Sequence, residues 1–411
     1  MPRLLSLGLA YLQWAWFEQH PEFVAPLEPI GLLGVLGVSW LIALRWALPR
    51  PRVPWEAGPA TSFLGPQVLF AAFLAGFGGL HLWQDWELPA VLGAWIGLLP
   101  YLVIQHGFRY GEGGQAGLDG VRAAAYAQRH SVGLLAGVLP LALVSQLWEW
   151  GAAALPEDPE TWTAAQGLLA WVVELGAVAA VLPVVLVLMP RLLGAGPGLP
   201  ALQQQVDAMW RGRGPAPRVL HWGTEGLVAN ALAVGFGRRK RILVSDALQG
   251  ALKPFELEAV LSHELAHFER RHAAALVAGT AGAVLLVSAA IERLVPATAE
   301  DPGLGWVALA LAAAALPFLF ASRRFEQQAD LDAIARGPAH AAGLAGALTL
   351  LGRRRPRLAL RHPAADARVA EILRALAEPD RAALLQRRAE RARRAMWGLF
   401  LAGLAGIAAT T

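Results

Sequence analysis

Residues 254–268 read PFELEAVLSHELAHF. Pro254 suits the first position of a helix, where its missing N–H would have no partner anyway, and Glu256 sets a negative charge in the first turn against the positive end of the helix dipole. Phe255, Leu257, Val260, Leu261, Leu265 and Phe268 follow at helical spacing, which predicts one apolar face. On this helix stand His263, Glu264 and His267. Two histidines four residues apart project from the same side, one turn apart, so both imidazoles reach a single tetrahedral metal ion. The glutamate beside the first is placed to accept a proton from water on that ion. The plainer alternative is a polar patch on a surface helix.

A third ligand separates the two readings. A metzincin spacing requires Gly and His where this chain has Arg270 and Ala273, so that geometry is excluded. Farther on, residues 323–330 read RRFEQQAD, and Glu326 and Asp330 lie four apart on one helical face. Glu326 can complete a His₂Glu zinc site whose fourth position stays open, and Asp330 can accept from the free ring nitrogen of a ligand histidine. An ordinary charged helix explains the two arginines of that run but not the Glu-x-x-x-Asp pair. Ahead of the metal helix, Leu202 to Trp210 reads as a helix, and 217–222, 227–234 and 241–245 as short strands. Gly235, Phe236 and Gly237, followed by Arg238 and Arg239, suggest a hairpin between the last two.

The surroundings of these segments are apolar. The chain has 411 residues, 56% hydrophobic and 16% charged, against about a quarter charged in soluble proteins. Apolar runs near 28–48, 62–84, 88–106, 131–148, 163–189, 273–291 and 304–322 approach the roughly 20 residues that cross a bilayer. Shorter runs at 4–17 and 395–411 leave room for an eighth span. The expected fold is therefore mainly α: a polytopic membrane helix bundle of about seven spans, with a cytoplasm-facing HExxH metalloprotease domain containing a small β-sheet. The expected organisation is 1–190 with about five spans, 191–272 with the sheet and metal helix, and 273–322 as a two-span hairpin. Segment 323–394 follows with the third ligand and Arg-rich helices, and 395–411 as a short terminal membrane segment. Basic loops alternate with acidic ones, which places both polar segments on the cytoplasmic side of a bacterial inner membrane. The hairpin returns Glu326 beside the histidines.

The same rule accounts for the net charge of +4 without a nucleic-acid partner. Tryptophans near span ends, such as Trp83, Trp148 and Trp397, fit an interfacial belt. The absence of cysteine excludes disulfides, thiolate catalysis and zinc–thiolate sites, leaving His, Asp and Glu to bind metal. Glu174 falls mid-span, where it lines a polar cavity, pairs with another helix or stays protonated.

Taken together these motifs resemble the integral-membrane zinc metallopeptidases that include the heat-shock protease HtpX and the type I CAAX prenyl proteases. The resemblance covers about 220–370 and rests on Asn230-Ala231, on Glu258 to His267, on Glu326 to Asp330, and on His362-Pro363 followed by Arg368. It implies one zinc ion bound by His263, His267 and Glu326, with Glu264 as general base. It further implies that His362 and Arg368 hold the substrate carbonyl or tetrahedral intermediate, and that Asn230 lies in a strand along which substrate extends. The expectation is a zinc metalloendopeptidase acting on membrane or membrane-proximal polypeptides, in quality control or CAAX-type processing. A silent zinc-containing scaffold and a transporter using Glu174 are the alternatives. His272 could be a further polar partner, and His221 and His340 receive no role.

Overall fold

The computed structural model describes residues 90–129, 189–212, 214–294, 303–352 and 365–409, with a few isolated positions besides. The chain divides into two compact units, 1–158 with 172–194, and 159–171 with 195–411. In the first, helix α1 (Ala90–Gln115) buries Tyr101, Ile104 and Phe108, and Arg109 near its end is held by Glu112 at 2.6 Å.

The second unit opens on strand β1 (Ala195–Pro197) and helix α2 (Pro200–Met209). Strands β2 (Arg218–Trp222), β3 (Ala231–Val234) and β4 (Arg241–Ser245) follow. The sheet order is β1-β2-β4-β3, with β2 and β4 parallel and the other neighbours antiparallel, so β3 is an edge. The expected strand at 227–234 is shortened to its last four residues. Asp246 is the cause: its carboxylate accepts from the backbone of Thr224 and Gly226 and from the Thr224 hydroxyl, gathering that segment into a turn.

Helix α3 (Asp246–Ala251), capped by Ser245, leads to α4 (Pro254–Glu269), the metal helix. Its first turn closes as the sequence demands, with the Lys253 N–H donating 2.8 Å to Glu256. Leu257, Leu261 and Leu265 pack on the sheet with Ile242, Val244, Leu202 and Val206. Ala259 instead enters a second core with Leu331, Ile334, Leu344 and Ile372. Full burial of each leucine contributes about 1.5–3 kcal/mol. Because residues four apart share a helix face, the row that begins at Ala259 continues through His263 and His267. That row therefore meets the helix that supplies Leu331 and Ile334.

Arg271, at φ 57°, turns the chain sharply from α4 into α5 (His272–Leu294). Helices α6 (Gly303–Ile334), α7 (Pro338–Gly352), α8 (Ala365–Ala377) and α9 (Pro379–Ala408) complete the unit. Ala275 and Leu276 of α5, Ala321 and Phe325 of α6, and Ala392 and Met396 of α9 form a third core.

This architecture corrects the expected membrane bundle. The protein is mainly helical with a small sheet, but no helix among the described residues is long and apolar enough to cross a membrane. The apolar runs at 273–291 and 304–322 lie in α5 and α6, and 395–411 coincides largely with the end of α9. Ala275, Phe325, Ala392 and Met396 of these helices cover one another, whereas Val277, Leu316, Phe320 and Leu401 are exposed, and many of their residues are alanine or glycine. From residue 90 onward the run at 88–106 lies in α1, interrupted by Pro100 and carried on past Arg109. The remaining expected spans, and Glu174, lie outside the described residues.

Close approach of α5 and α9 depends on glycine. A Cβ on Gly282 would sit 2.4 Å from the backbone of Leu399 and Phe400, whereas one on Gly398 would meet nothing within 4 Å. Gly282→Ala should therefore lower stability by roughly 1–3 kcal/mol, while Gly398→Ala should leave it equal or higher through helix propensity. Thermal denaturation of the two variants reads the difference directly.

Candidate metal centre

Helices α4, α6 and α8 converge on a buried cluster of charge. His263 Nε2 and His267 Nε2 are 3.3 Å apart, Glu326 Oε2 is 3.5 Å from the first, and Glu326 Oε1 is 3.6 Å from the second. Bond lengths of about 2.0–2.1 Å from tetrahedral zinc to nitrogen or oxygen imply donor–donor edges of about 3.4 Å. Glu326 approaches each imidazole through a different oxygen; taken one ligand atom per residue, the three lie within 4.8 Å of one another, close enough to converge on one ion, and two imidazoles with a carboxylate are a suitable donor set for zinc.

What surrounds the three donors orients them. Asp330 Oδ1 lies 2.9 Å from His263 Nδ1, and Asp330 is itself gripped by Arg368 through bonds of 2.5 and 2.9 Å. The Arg368 Nη1 is 3.7 Å from Glu326. Burial works against charge on His263, but the adjacent carboxylates of Asp330 and Glu326 outweigh it and, without a bound ion, push its pKa up to about 10. Burial likewise opposes ionisation of Asp330, yet Arg368 and His263 hold its carboxyl below the usual range.

His267 is oriented by a residue the sequence left without a definite role. Its Nδ1 is 2.9 Å from Nδ1 of His272, whose Nε2 is 2.9 Å from Gln328 Oε1. Burial is the main cause that pulls the His272 pKa down to about 4, so the ring is neutral and carries one N–H. The Gln328 amide nitrogen donates to Gln386 at 2.7 Å, so its oxygen must face His272. The single N–H of His272 is thus on Nε2, and its Nδ1 accepts from His267. The lone pair of His267 Nε2 is thereby turned toward Glu326 and His263. His272 also stacks on Phe325, with ring centroids 4.4 Å apart and planes within 2°. Its position five residues after His267 gave no helical signal, because a new helix begins there. Gln328 and Gln386 carried none.

Glu264 points to the other side, toward the sheet. Its Oε2 accepts the N–H of Ala233 on edge strand β3 at 2.8 Å, and the residue is 9% exposed. Asn230 stands just before β3, its backbone tied to Ser245 by bonds of 2.9 and 3.0 Å. His362 lies outside the described residues. His221 and His340 sit elsewhere, beside Gln249 and Glu258 respectively. Of the residues singled out in the sequence, the structure gathers His263, Glu264, His267, Glu326, Asp330 and Arg368 into one site.

A small sheet packed on a helix that bears paired histidines and a glutamate, with the third donor on a second helix, is the arrangement of a metallopeptidase. Residues 202–376 match the model of Peptidase family M48, the family of HtpX- and CAAX-type zinc metallopeptidases. The match spans under half of the chain but encloses the whole cluster. No curated protein matches the chain.

Two outcomes follow from the geometry. His272→Phe keeps a stacking ring but removes both hydrogen bonds, and chelator competition should show zinc affinity reduced about 10–100-fold; His272→Asn, which retains an acceptor near His267, should recover part of it. Metal entry must also displace the proton of His263. Since the raised pKa keeps that proton bound below about 10, apparent zinc affinity should rise about tenfold per pH unit across the neutral range. An affinity independent of pH would contradict the assignment.

Proposed function

We propose that this protein is a zinc-dependent metalloendopeptidase that hydrolyses peptide bonds in extended polypeptide substrates. The observation that carries the reading is the coincidence of three candidate donors, His263, His267 and Glu326, gathered within 4.8 Å of one another with a buried carboxylate, Glu264, anchored on the edge of the sheet. His263, His267 and Glu326 are assigned as the residues that hold the ion. When bound, zinc supplies Lewis-acid polarisation to the scissile carbonyl and to water.

The chain's own residues handle the substrate and the proton. An extended substrate segment adds to the outer edge of β3, where main-chain hydrogen bonds give affinity with little demand on sequence. Asn230, at the head of that strand, borders its path. Glu264 accepts a proton from the attacking water and returns it to the departing amine nitrogen, so the peptide bond breaks into a carboxylate and an amine. Arg368 locks Asp330, and through it His263, and brings positive charge near Glu326. That charge offsets the negative charge developing on the carbonyl oxygen, a role His362 shares on the family resemblance.

The decisive comparison is between wild type and Glu264→Gln. The variant should retain its zinc but lose at least about 100-fold in kcat, the usual worth of a positioned acid–base group, when cleavage of an unstructured polypeptide is followed. Equal cleavage by both proteins would overturn the mechanism.

A further inference from the structure

Beside the metal centre runs a cleft of about 1160 Å³, larger than the 300–1,000 Å³ of ordinary small-ligand pockets and roomy enough for several residues of a peptide. His267 lies in its wall. The other walls come from residues 210–212 and 214–215 after α2, the turn between β3 and β4, the α4–α5 junction, and the end of α6.

The charge of this lining is lopsided. It contains Arg211, Arg238, Lys240, Arg270, Arg271 and Arg336 against only Glu269 and Asp332. Both acids are already committed within the wall. Arg336 binds Glu269 at 3.0 Å, and Arg270 grips Asp332 through bonds of 2.7 and 2.8 Å. Lys240 is held with its ammonium 4.1 Å above the Trp210 ring. Arg211, Arg238 and Arg271 are exposed, and their guanidinium groups have no acidic partner among the described residues, although the Arg211 backbone N–H donates 3.1 Å to Glu269. A concave surface with unmatched charge of one sign focuses its field and concentrates groups of the other sign.

The cleft also stands in line with the strand edge. Ala233, bonded to Glu264, marks the level of the chemistry, and Gly235, two residues on, already lines the cleft. At about 3.3 Å per residue, the separation along the strand is roughly 7 Å. The turn beyond is tight. Gly235 has φ 96°, and a Cβ there would lie 2.2 Å from the Arg239 carbonyl oxygen, so the backbone that presents Arg238 and Lys240 has one tolerated shape.

We propose that this cleft is a specificity subsite for acidic side chains of the polypeptide substrate, engaging Asp or Glu residues about two to four positions from the scissile bond. The inference rests on the peptidase reading for the word substrate, but not for the binding itself. A carboxylate entering the cleft meets Arg211, Arg238 and Arg271 without displacing an existing ion pair. A lysine or arginine there would face like charge with no free acid to receive it.

The test uses the full chain loaded with zinc and a set of fluorogenic peptides that differ only in carrying Glu, Gln or Lys two to four residues from the cut, on either side. On one side, Glu should exceed Lys in kcat/KM by about tenfold or more at low salt, chiefly through KM, and the advantage should shrink as salt screens it. The charge-reversed Arg211→Glu/Arg238→Glu protein should lose or invert that ratio, and Arg211→Gln/Arg238→Gln should fall between. Retained zinc content in both variants excludes misfolding as the cause. No charge preference on either side, or a preference for Lys, would overturn the proposal. Binding of a labelled Glu-rich peptide to Glu264→Gln, read by fluorescence anisotropy, separates the two ideas. If no peptide is cleaved yet the acidic one binds and is weakened by charge reversal, the subsite stands and the peptidase reading fails; if cleavage proceeds without preferential acidic binding, the reverse holds.

Discussion

Three carboxylates, Glu264, Glu326 and Asp330, are buried around this site, the last two within reach of one guanidinium and two imidazoles and the first turned to the sheet. Removing a carboxylate from water costs several kcal/mol unless hydrogen bonds and opposite charge compensate, so the surrounding elements must all be held in register. Glu264 has the Ala233 N–H, Asp330 has Arg368 and His263, and Glu326 lies among both histidines and Arg368. Even so, the carboxylates outnumber the one permanent positive charge. A proton on His263 meets half of the remainder and a divalent cation would meet all of it, so competition between those two would couple metal binding to pH.

The frame that enforces this is apolar and lies on both sides of α4. Leucines facing the sheet and Ala259 facing α6 and α7 fix the rotation of the helix, and with it which way each polar side chain points. A second tier of polar contacts then joins the helix ends: Arg270 to Asp332, Asp332 to Gln386, Gln386 to Gln328, and Gln328 to His272. The same tier consumes Asp332 of the neighbouring cleft while Arg336 takes Glu269, so the order that holds the candidate metal ligands also shapes the electrostatics of the cleft.

How much of this was legible differed from residue to residue. The helix from Pro254, its histidine pair and the Glu326–Asp330 pair were readable because helical spacing is local and those side chains have few other reasons to recur at intervals of four. The strand ahead of them was overextended, since no pattern within 224–230 announces the distant Asp246 that folds it into a turn. The membrane bundle was misread for a different reason. Apolar composition measures how much surface avoids water, not what covers it. In α5, α6 and α9, Ala275, Phe325 and Met396 cover one another, and Gly282 lets two backbones meet.

By itself, the sequence determined the chemistry on offer: a helix bearing two metal-competent imidazoles with a carboxylate beside the first, a third candidate donor with its acidic neighbour, and no thiol to compete with them. Tertiary structure decided the direction of that chemistry. Only the packing of α4 between sheet and helices turns Glu264 to the edge strand while turning His263 and His267 to Glu326. Only the reversal at Arg271 brings His272 against His267, and only the distant glutamine Gln328 settles which of its nitrogens carries the proton. Orientation and tautomer depend on contacts between residues far apart in the chain, and periodicity along one segment holds no record of them.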